Sequence, residues 1–288
     1  MSSGRAPGKV LLLGEHAVVH GQPALAAAIA RFVTVEVEPA AAPRLELPGG
    51  IETPHAIAQA AATMAREAGF GGGFLARVQS EIPLGSGLGS SAALGVALAR
   101  AFKPGCAPDE AARLAMHLER VLHGAPSGVD PAVCARGGVI WFVRGEPPVV
   151  EPVRGEASLV VALTGIARGT HTTVLPLSER RRRAPEQIEP LLWRLGELAR
   201  EGRRDFETSA LAALGARFDE AHAILRELGV SCPELEEKVL ALRAAGALGA
   251  KLTGAGGGGA AIGLARDAAH AQAIAAATGG FAVQIGSA

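Results

Sequence analysis

The chain has 288 residues with 28 Lys+Arg against 28 Asp+Glu, so it lacks the basic excess that a nucleic-acid or polyanion partner calls for. Hydrophobic residues make up 49% of it, yet no stretch approaches the ~20 apolar residues of a membrane span, which describes one large or two moderate globular domains. The apolar run 10–13 is too short for a signal sequence, and Cys106, Cys134 and Cys232 lie too far apart for a metal or redox motif, so a reducing, cytoplasmic setting without a membrane partner is expected.

Residues 9–13, KVLLL, read as a buried strand that exits into Gly14-Glu15-His16, where charged and imidazole groups face either a cleft or solvent. Residues 31–38 alternate Val33, Val35 and Val37 with Thr34, Glu36 and Glu38, a strand with one wet face, and 39–50 read as a loop. Thr53 as cap, Pro54 at the first position and Gly69 past the end bound a helix. Alternation then predicts a strand over 74–82.

The stretch that follows, PLGSGLGSSAAL at 83–94, organises the rest. Gly85, Gly87 and Gly89 let backbone wrap closely around a ligand, with Ser86 and Leu88 between them. Ser90 and Ser91 open an Ala/Leu-rich helix over 92–102, whose unpaired N–H groups and partial positive charge favour an anion. The two serines either cap that helix or turn a hydroxyl toward a metal held by the anion. Counting from Gly85, the third glycine of a dinucleotide fingerprint is replaced by Ser90, and Gly8-Lys9 is followed by Val10, so neither that fingerprint nor a Walker A loop is present. The stretch reads as a phosphate-binding loop, against the plainer alternative of a glycine-rich connection before a capped helix.

Ala111, Leu114, Leu118 and Val121 predict a helix over 107–123. Glu119 sits in its last turn, where the helix dipole disfavours a carboxylate; a bound cation offsets that, or the group is solvated and paired with Arg113 or Arg120. Residues 124–131 form a turn segment ending in Asp130, and a strand follows over 139–144. The pattern restarts near 149–158, giving an expected division into 1–155 and 156–288. The second part reads as a strand at 159–163, a polar segment at 164–173, helices near 188–201, 205–228 and 233–245, a helix at 267–277 and a strand at 281–285. Arg180–Arg183 reads as a solvated loop, Trp193 as core, and Ser231 with Glu234 as a capping box. In 251–259, KLTGAGGGG, the crowded glycines imply close approach of backbone to a ligand or to the first domain.

Two glycine-rich loops with an isolated Lys, Glu and Asp suit phosphoryl transfer, which is chiefly positioning and charge neutralisation. The chain resembles the GHMP small-molecule kinases. Three family motifs occur in order: Ala6-Pro7-Gly8-Lys9 with Gly14-Glu15-His16, then residues 83–93, then 251–259. The run 14–21, GEHAVVHG, and the run 123–130, HGAPSGVD, are most similar to the branch of the family whose acceptor is mevalonate.

The resemblance implies Asp130 as catalytic base with Lys9 beside it, and Gly85, Ser86, Gly87, Leu88, Gly89, Ser90 and Ser91 around the ATP phosphates. It further implies Ser80 on the nucleotide side, Ser91 and Glu119 on Mg²⁺, and Glu15, His16, Thr170, Gly254, Ala255 and Gly256 on the acceptor side. Arg168-Gly169-Thr170 carries Gly where the family has Asn. The implied fold is α/β, an N-terminal domain with a left-handed βαβ unit and a C-terminal ferredoxin-like domain; that hand runs against the usual right-handed rule and is not readable from periodicity. ATP and a small hydroxylated metabolite are the expected partners, and self-association as a homodimer is left open. Two rivals stand beside this reading: a relative acting on phosphomevalonate or a sugar, and a nucleotide-binding sensor without catalysis.

Overall fold

The structure, a computed structural model, describes residues 1–50, 53–83, 85–166 and 171–286. It divides into two compact units: unit 1 comprises Met1–Lys9, Ala30–Pro83 and Gly89–Gly137, and unit 2 comprises Val10–Ile29, Leu84–Leu88 and Gly138–Ala288. Strands β1 (Ser2–Leu13) and β2 (Ala24–Ala40) contribute to both.

In unit 1, β3 (Arg44–Glu46) and β4 (Gly73–Ser80) run parallel and are joined through α1 (His55–Glu67), a βαβ arrangement. The C-terminal half of β2 pairs antiparallel with β4, Val33 opposite Ser80 through Ala40 opposite Gly73. Behind them lie α2 (Ser90–Phe102), α3 (Pro108–His123) and α4 (Val129–Arg136), with α2 packed on α3 and α4 on both. Phe70, Phe74 and Phe102 meet edge-on or tilted at 4.8–6.3 Å, the geometry that aromatic quadrupoles favour.

Three expectations are corrected here. The segment 39–50 is not all loop, because β3 finds a partner in β4. Thr53 does not cap α1; its hydroxyl donates to the Leu45 carbonyl, 2.9 Å away, and Pro54 occupies the cap position. The turn segment before residue 131 leads directly into α4, whose first turn holds Asp130 and Pro131. Proline is tolerated there because the N–H it lacks has no partner in a first turn.

In unit 2, Ala24–Ala27 of β2 pair with β5 (Val139–Val143), and β5 pairs with β6 (Val149–Pro152). The remainder runs β7 (Glu156–Leu163), α5 (His171–Arg183), α6 (Pro185–Glu207), α7 (Leu211–Glu227), α8 (Pro233–Ala244), β8 (Gly249–Thr253), β9 (Ala260–Ala265), α9 (Ala268–Thr278) and β10 (Phe281–Gly286). Strands β7 to β10 form an antiparallel sheet in the order β10-β7-β9-β8, the ferredoxin-like pattern with β8 on an edge.

The basic run Arg180–Arg183 is the last turn of α5 rather than a loop, where cations complement the helix dipole. Arg180 donates to the Leu228 carbonyl, and Arg181 pairs with Glu189 and donates to His20 Nδ1. Trp193 is 57% exposed, not core: the buried stripe of α6 is Ile188, Leu192, Leu195, Ala199, and Trp193 falls one residue off it. Cys232, not Ser231, precedes α8 at the cap position, and the Ser231 hydroxyl donates to Glu236. Among the described residues no helix is long and apolar enough to cross a membrane.

Candidate active site

Unit 1 gathers four of the expected residues. Lys9, only 2% exposed, points its ammonium at Asp130, with Nζ 3.0 Å from Oδ2. Asp130 lies in the first turn of α4, where the helix dipole favours a carboxylate. Gly89 precedes α2 with φ +77°, and a Cβ there would stand 2.7 Å from Lys9 Cγ, so only glycine leaves room for the lysine stem.

At the second position of α2, the Ser91 hydroxyl donates to Glu119 Oε1 at 2.7 Å. Because its single proton is committed there, the contact with His123 Nε2 at 3.1 Å requires the imidazole to donate to Ser91 Oγ. Glu119, on α3, is 3% exposed, so the solvated alternative is removed. Burial pushes its pKa up to about 7, and the charge of Asp130 adds to the rise; the Ser91 hydrogen bond and Lys9 oppose it.

The buried Glu119 carboxylate, the partly exposed Asp130 carboxylate near it and the Ser91 hydroxyl offer hard oxygen donors of the kind Mg²⁺ accepts. Among the described residues no group of three or more His, Cys, Asp or Glu forms a protein-only metal cage.

Ser90 is the first residue of α2. Ser80 uses its hydroxyl locally at the end of β4, donating to Ile82 O at 2.8 Å and accepting from Ile82 N at 3.1 Å.

Unit 2 gathers a second set. Glu15 and His16 follow the end of β1, and Lys251 on β8 donates from its buried ammonium to Glu15 Oε1. The His16 ring donates from Nε2 to the Ala255 carbonyl at 3.0 Å, tying the chain after β1 to the glycine segment after β8. Thr253 adds a further tie: its hydroxyl accepts from Leu11 N at 2.8 Å and donates to Leu11 O at 3.1 Å. Gly256 shows where the crowding is, since a Cβ would lie 1.9 Å from the Val230 carbonyl; the close approach there is to the α7–α8 connection, within the same unit.

Gly85, Ser86, Gly87 and Leu88 belong to this unit too, and the buried Ser86 hydroxyl has no hydrogen-bond partner among the described residues. A buried hydroxyl in that state is costly unless a ligand satisfies it. Gly254 lies between Thr253 and Ala255, and Thr170 lies outside the described residues. Lys251, Thr253 and His123 were missed from sequence. The cue for Lys251 was a lysine inside an otherwise apolar strand run, which burial turns into a demand for an anionic partner.

Burial lowers the His16 pKa from 6.5 to about 4, with the Ala255 hydrogen bond opposing and His20 adding to the fall. The unfolded chain takes up this proton near 6.5 and the folded protein only near 4, so stability from neutral His16 is whole above 6.5 and is lost as pH falls toward 4. Asn at this position does not titrate. Denaturant unfolding at pH 7 and pH 4 should show wild type losing about 3 kcal/mol more than His16→Asn, from a separation of about 2.5 pH units. Equal losses in the two proteins would contradict a neutral, buried His16.

The profile described as GHMP kinases N terminal domain matches residues 55–138, and that described as GHMP kinases C terminal matches residues 178–280. The mevalonate kinase of Thermococcus sibiricus is 36% identical, the alignment covering 88% of this chain and 86% of that one. The mevalonate kinase of Aeropyrum pernix is 36% identical over 90% of this chain and 87% of its own. Among solved structures, L. major mevalonate kinase in complex with R-mevalonate superposes with a TM-score of 0.85 at 28% identity, covering 99% of this chain and 96% of that one.

Proposed function

The chain belongs to the GHMP kinase family, and from that premise we propose that it is a mevalonate kinase, moving the γ-phosphoryl group of ATP to the C5 hydroxyl of mevalonate. The observation that carries the mechanism is the Lys9–Asp130 pair beside Glu119 and Ser91. Asp130 accepts the proton of the acceptor hydroxyl as its oxygen bonds to phosphorus and the bond from phosphorus to the ADP oxygen breaks. Lys9 holds the carboxylate in place and balances charge on the transferring group.

Glu119 and Ser91 are the residues that would hold Mg²⁺, which would supply positive charge to neutralise the phosphates. Residues 85–91 are assigned to the ATP phosphates, supported by the unpartnered Ser86 hydroxyl and by the N–H groups that open α2. Glu15, His16 and 254–256 are assigned to the acceptor, and the family's two halves to 1–155 and 156–288, each holding one matched span. Three free thiols accord with a cytoplasmic setting.

The test is ADP release with Mg²⁺-ATP across mevalonate, phosphomevalonate, galactose and homoserine. Turnover is expected with mevalonate at least ~10²-fold above the others, since buried polar groups built for one acceptor reject analogues that leave them unpaired. Preference for phosphomevalonate or a sugar would move the chain to another branch of the family.

A further inference from the structure

Strand β8 is an edge strand, and the outward backbone groups of such a strand need partners. Here side chains supply them. Ala250 N donates to Asp219 Oδ1 at 2.9 Å, and Ala250 O accepts from Arg243 Nη2 at 3.0 Å. Two residues on, Leu252 N donates to His222 Nδ1 at 3.3 Å, and Leu252 O accepts from Lys251 Nζ at 2.7 Å. Asp219 and His222 are three apart on α7, hence on one face, and that face replaces the missing neighbour strand.

His222 is 3% exposed. Since Nδ1 accepts from the peptide, the ring proton is on Nε2, which stands 3.1 Å from Glu236 Oε1. Glu236 is itself held by the Ser231 hydroxyl. A continuous line of contacts therefore runs from Ser231 through Glu236, His222 and the two peptide groups flanking Leu252 to Lys251 and Glu15.

We propose that His222, oriented by Glu236, is a positioning residue for the acceptor side of the reaction, fixing the Leu252 peptides so that the Lys251 ammonium holds Glu15 in place. The inference rests on the assignment of Glu15 and His16 to the acceptor. The geometry favours positioning over packing because Nδ1 accepts a hydrogen bond from the strand while Nε2 faces a carboxylate 3.1 Å away, a charge contact rather than an aligned hydrogen bond. The charged and titratable groups facing His222 are Glu236, Arg243 and Lys251.

The test compares His222→Leu, His222→Asn and Glu236→Gln with Lys251→Met and Glu15→Gln, each purified and checked for folding by thermal unfolding. His222→Leu, close in size but without an acceptor, should raise KM for mevalonate ~10-fold or more, with KM for ATP changing less than a third as much. His222→Asn, whose amide oxygen can accept from Leu252 N, should recover most of that loss. Combining His222→Leu with Lys251→Met should be little worse than Lys251→Met alone, because the two act in one line.

Equal effects on the two KM values, no recovery in Asn, or multiplicative losses in the double variant would each overturn the positioning role. If His222→Leu fails to fold, Glu236→Gln carries the test, with the same split of KM values expected. Unchanged mevalonate KM in both Lys251→Met and Glu15→Gln would instead overturn the acceptor assignment on which the inference stands.

Discussion

Asp130→Asn should lower kcat by ~10²-fold or more while leaving ATP binding within a few fold of wild type. A primary alcohol is far too weak an acid to ionise unaided at neutral pH, so a carboxylate within hydrogen-bond reach must orient it and take its proton as phosphorus arrives. Of the pair, the Asp130 side chain is 28% exposed and that of Lys9 only 3%, so the aspartate is the partner that a substrate can reach. Asparagine keeps the shape and removes the basic oxygen; it also strands the enclosed Lys9 ammonium, and that second effect must be separated from the first.

Lys9→Met separates them. It should cut turnover as well, and Lys9→Met with Asp130→Asn should be far less than the product of the single losses, because the two residues work as a unit. The opposing view is that phosphoryl transfer is dissociative enough to need little help from a base. Rapid-quench single turnovers decide the matter: near-normal rates in Asp130→Asn, with chemistry limiting, would leave positioning by Lys9 as sufficient and the base assignment wrong.

The second large effect is that Glu119→Gln should weaken Mg²⁺ use and lower kcat/KM for ATP by ~10²-fold while making the metal-free protein more stable at high pH. Burial, then the charge of Asp130, raises the Glu119 pKa from 4.5 to about 7, so the folded state keeps a proton that the unfolded state gives up near 4.5. That stabilisation is whole below 4.5 and is lost as pH rises through 7. The separation of about 2.5 pH units is worth about 3 kcal/mol, which the glutamine variant does not lose. Unfolding in a chelating buffer at pH 8 should therefore find Glu119→Gln ahead of wild type. In wild type, apparent Mg²⁺ affinity should climb as pH rises toward 7, because the ion competes with a proton, and the climb should vanish in the variant. An unchanged Mg²⁺ dependence would return Glu119 to a structural role.

How much of this was legible in the sequence depends on how local each feature is. The loop at 85–91 and the helix after it were readable because glycine, serine and an Ala-rich run act through their own backbone. The placement of Glu119 on its helix was equally local, although its burial was not. Helix α4 escaped because nearly all its positions are buried, which removes the 3.6-residue alternation, and because Asp130-Pro131 carries turn chemistry and helix-start chemistry alike. Trp193 was misplaced because its leucine neighbours in sequence are not its neighbours around the helix. The Lys251–Glu15 pair and the His222 contact join residues 236 and 30 positions apart, so only the sheet order and the seat of α7 reveal them.

The central claim, that this chain phosphorylates the primary hydroxyl of mevalonate, is tested most directly by the phosphorus-31 spectrum of the product made with Mg²⁺-ATP. A phosphate on the C5 methylene carbon is split by two protons, so the account predicts a phosphomonoester triplet growing in step with ADP. An ester signal without proton coupling would place the phosphate on the tertiary hydroxyl. ADP without a new ester, or no ADP from folded protein, would contradict the transfer itself.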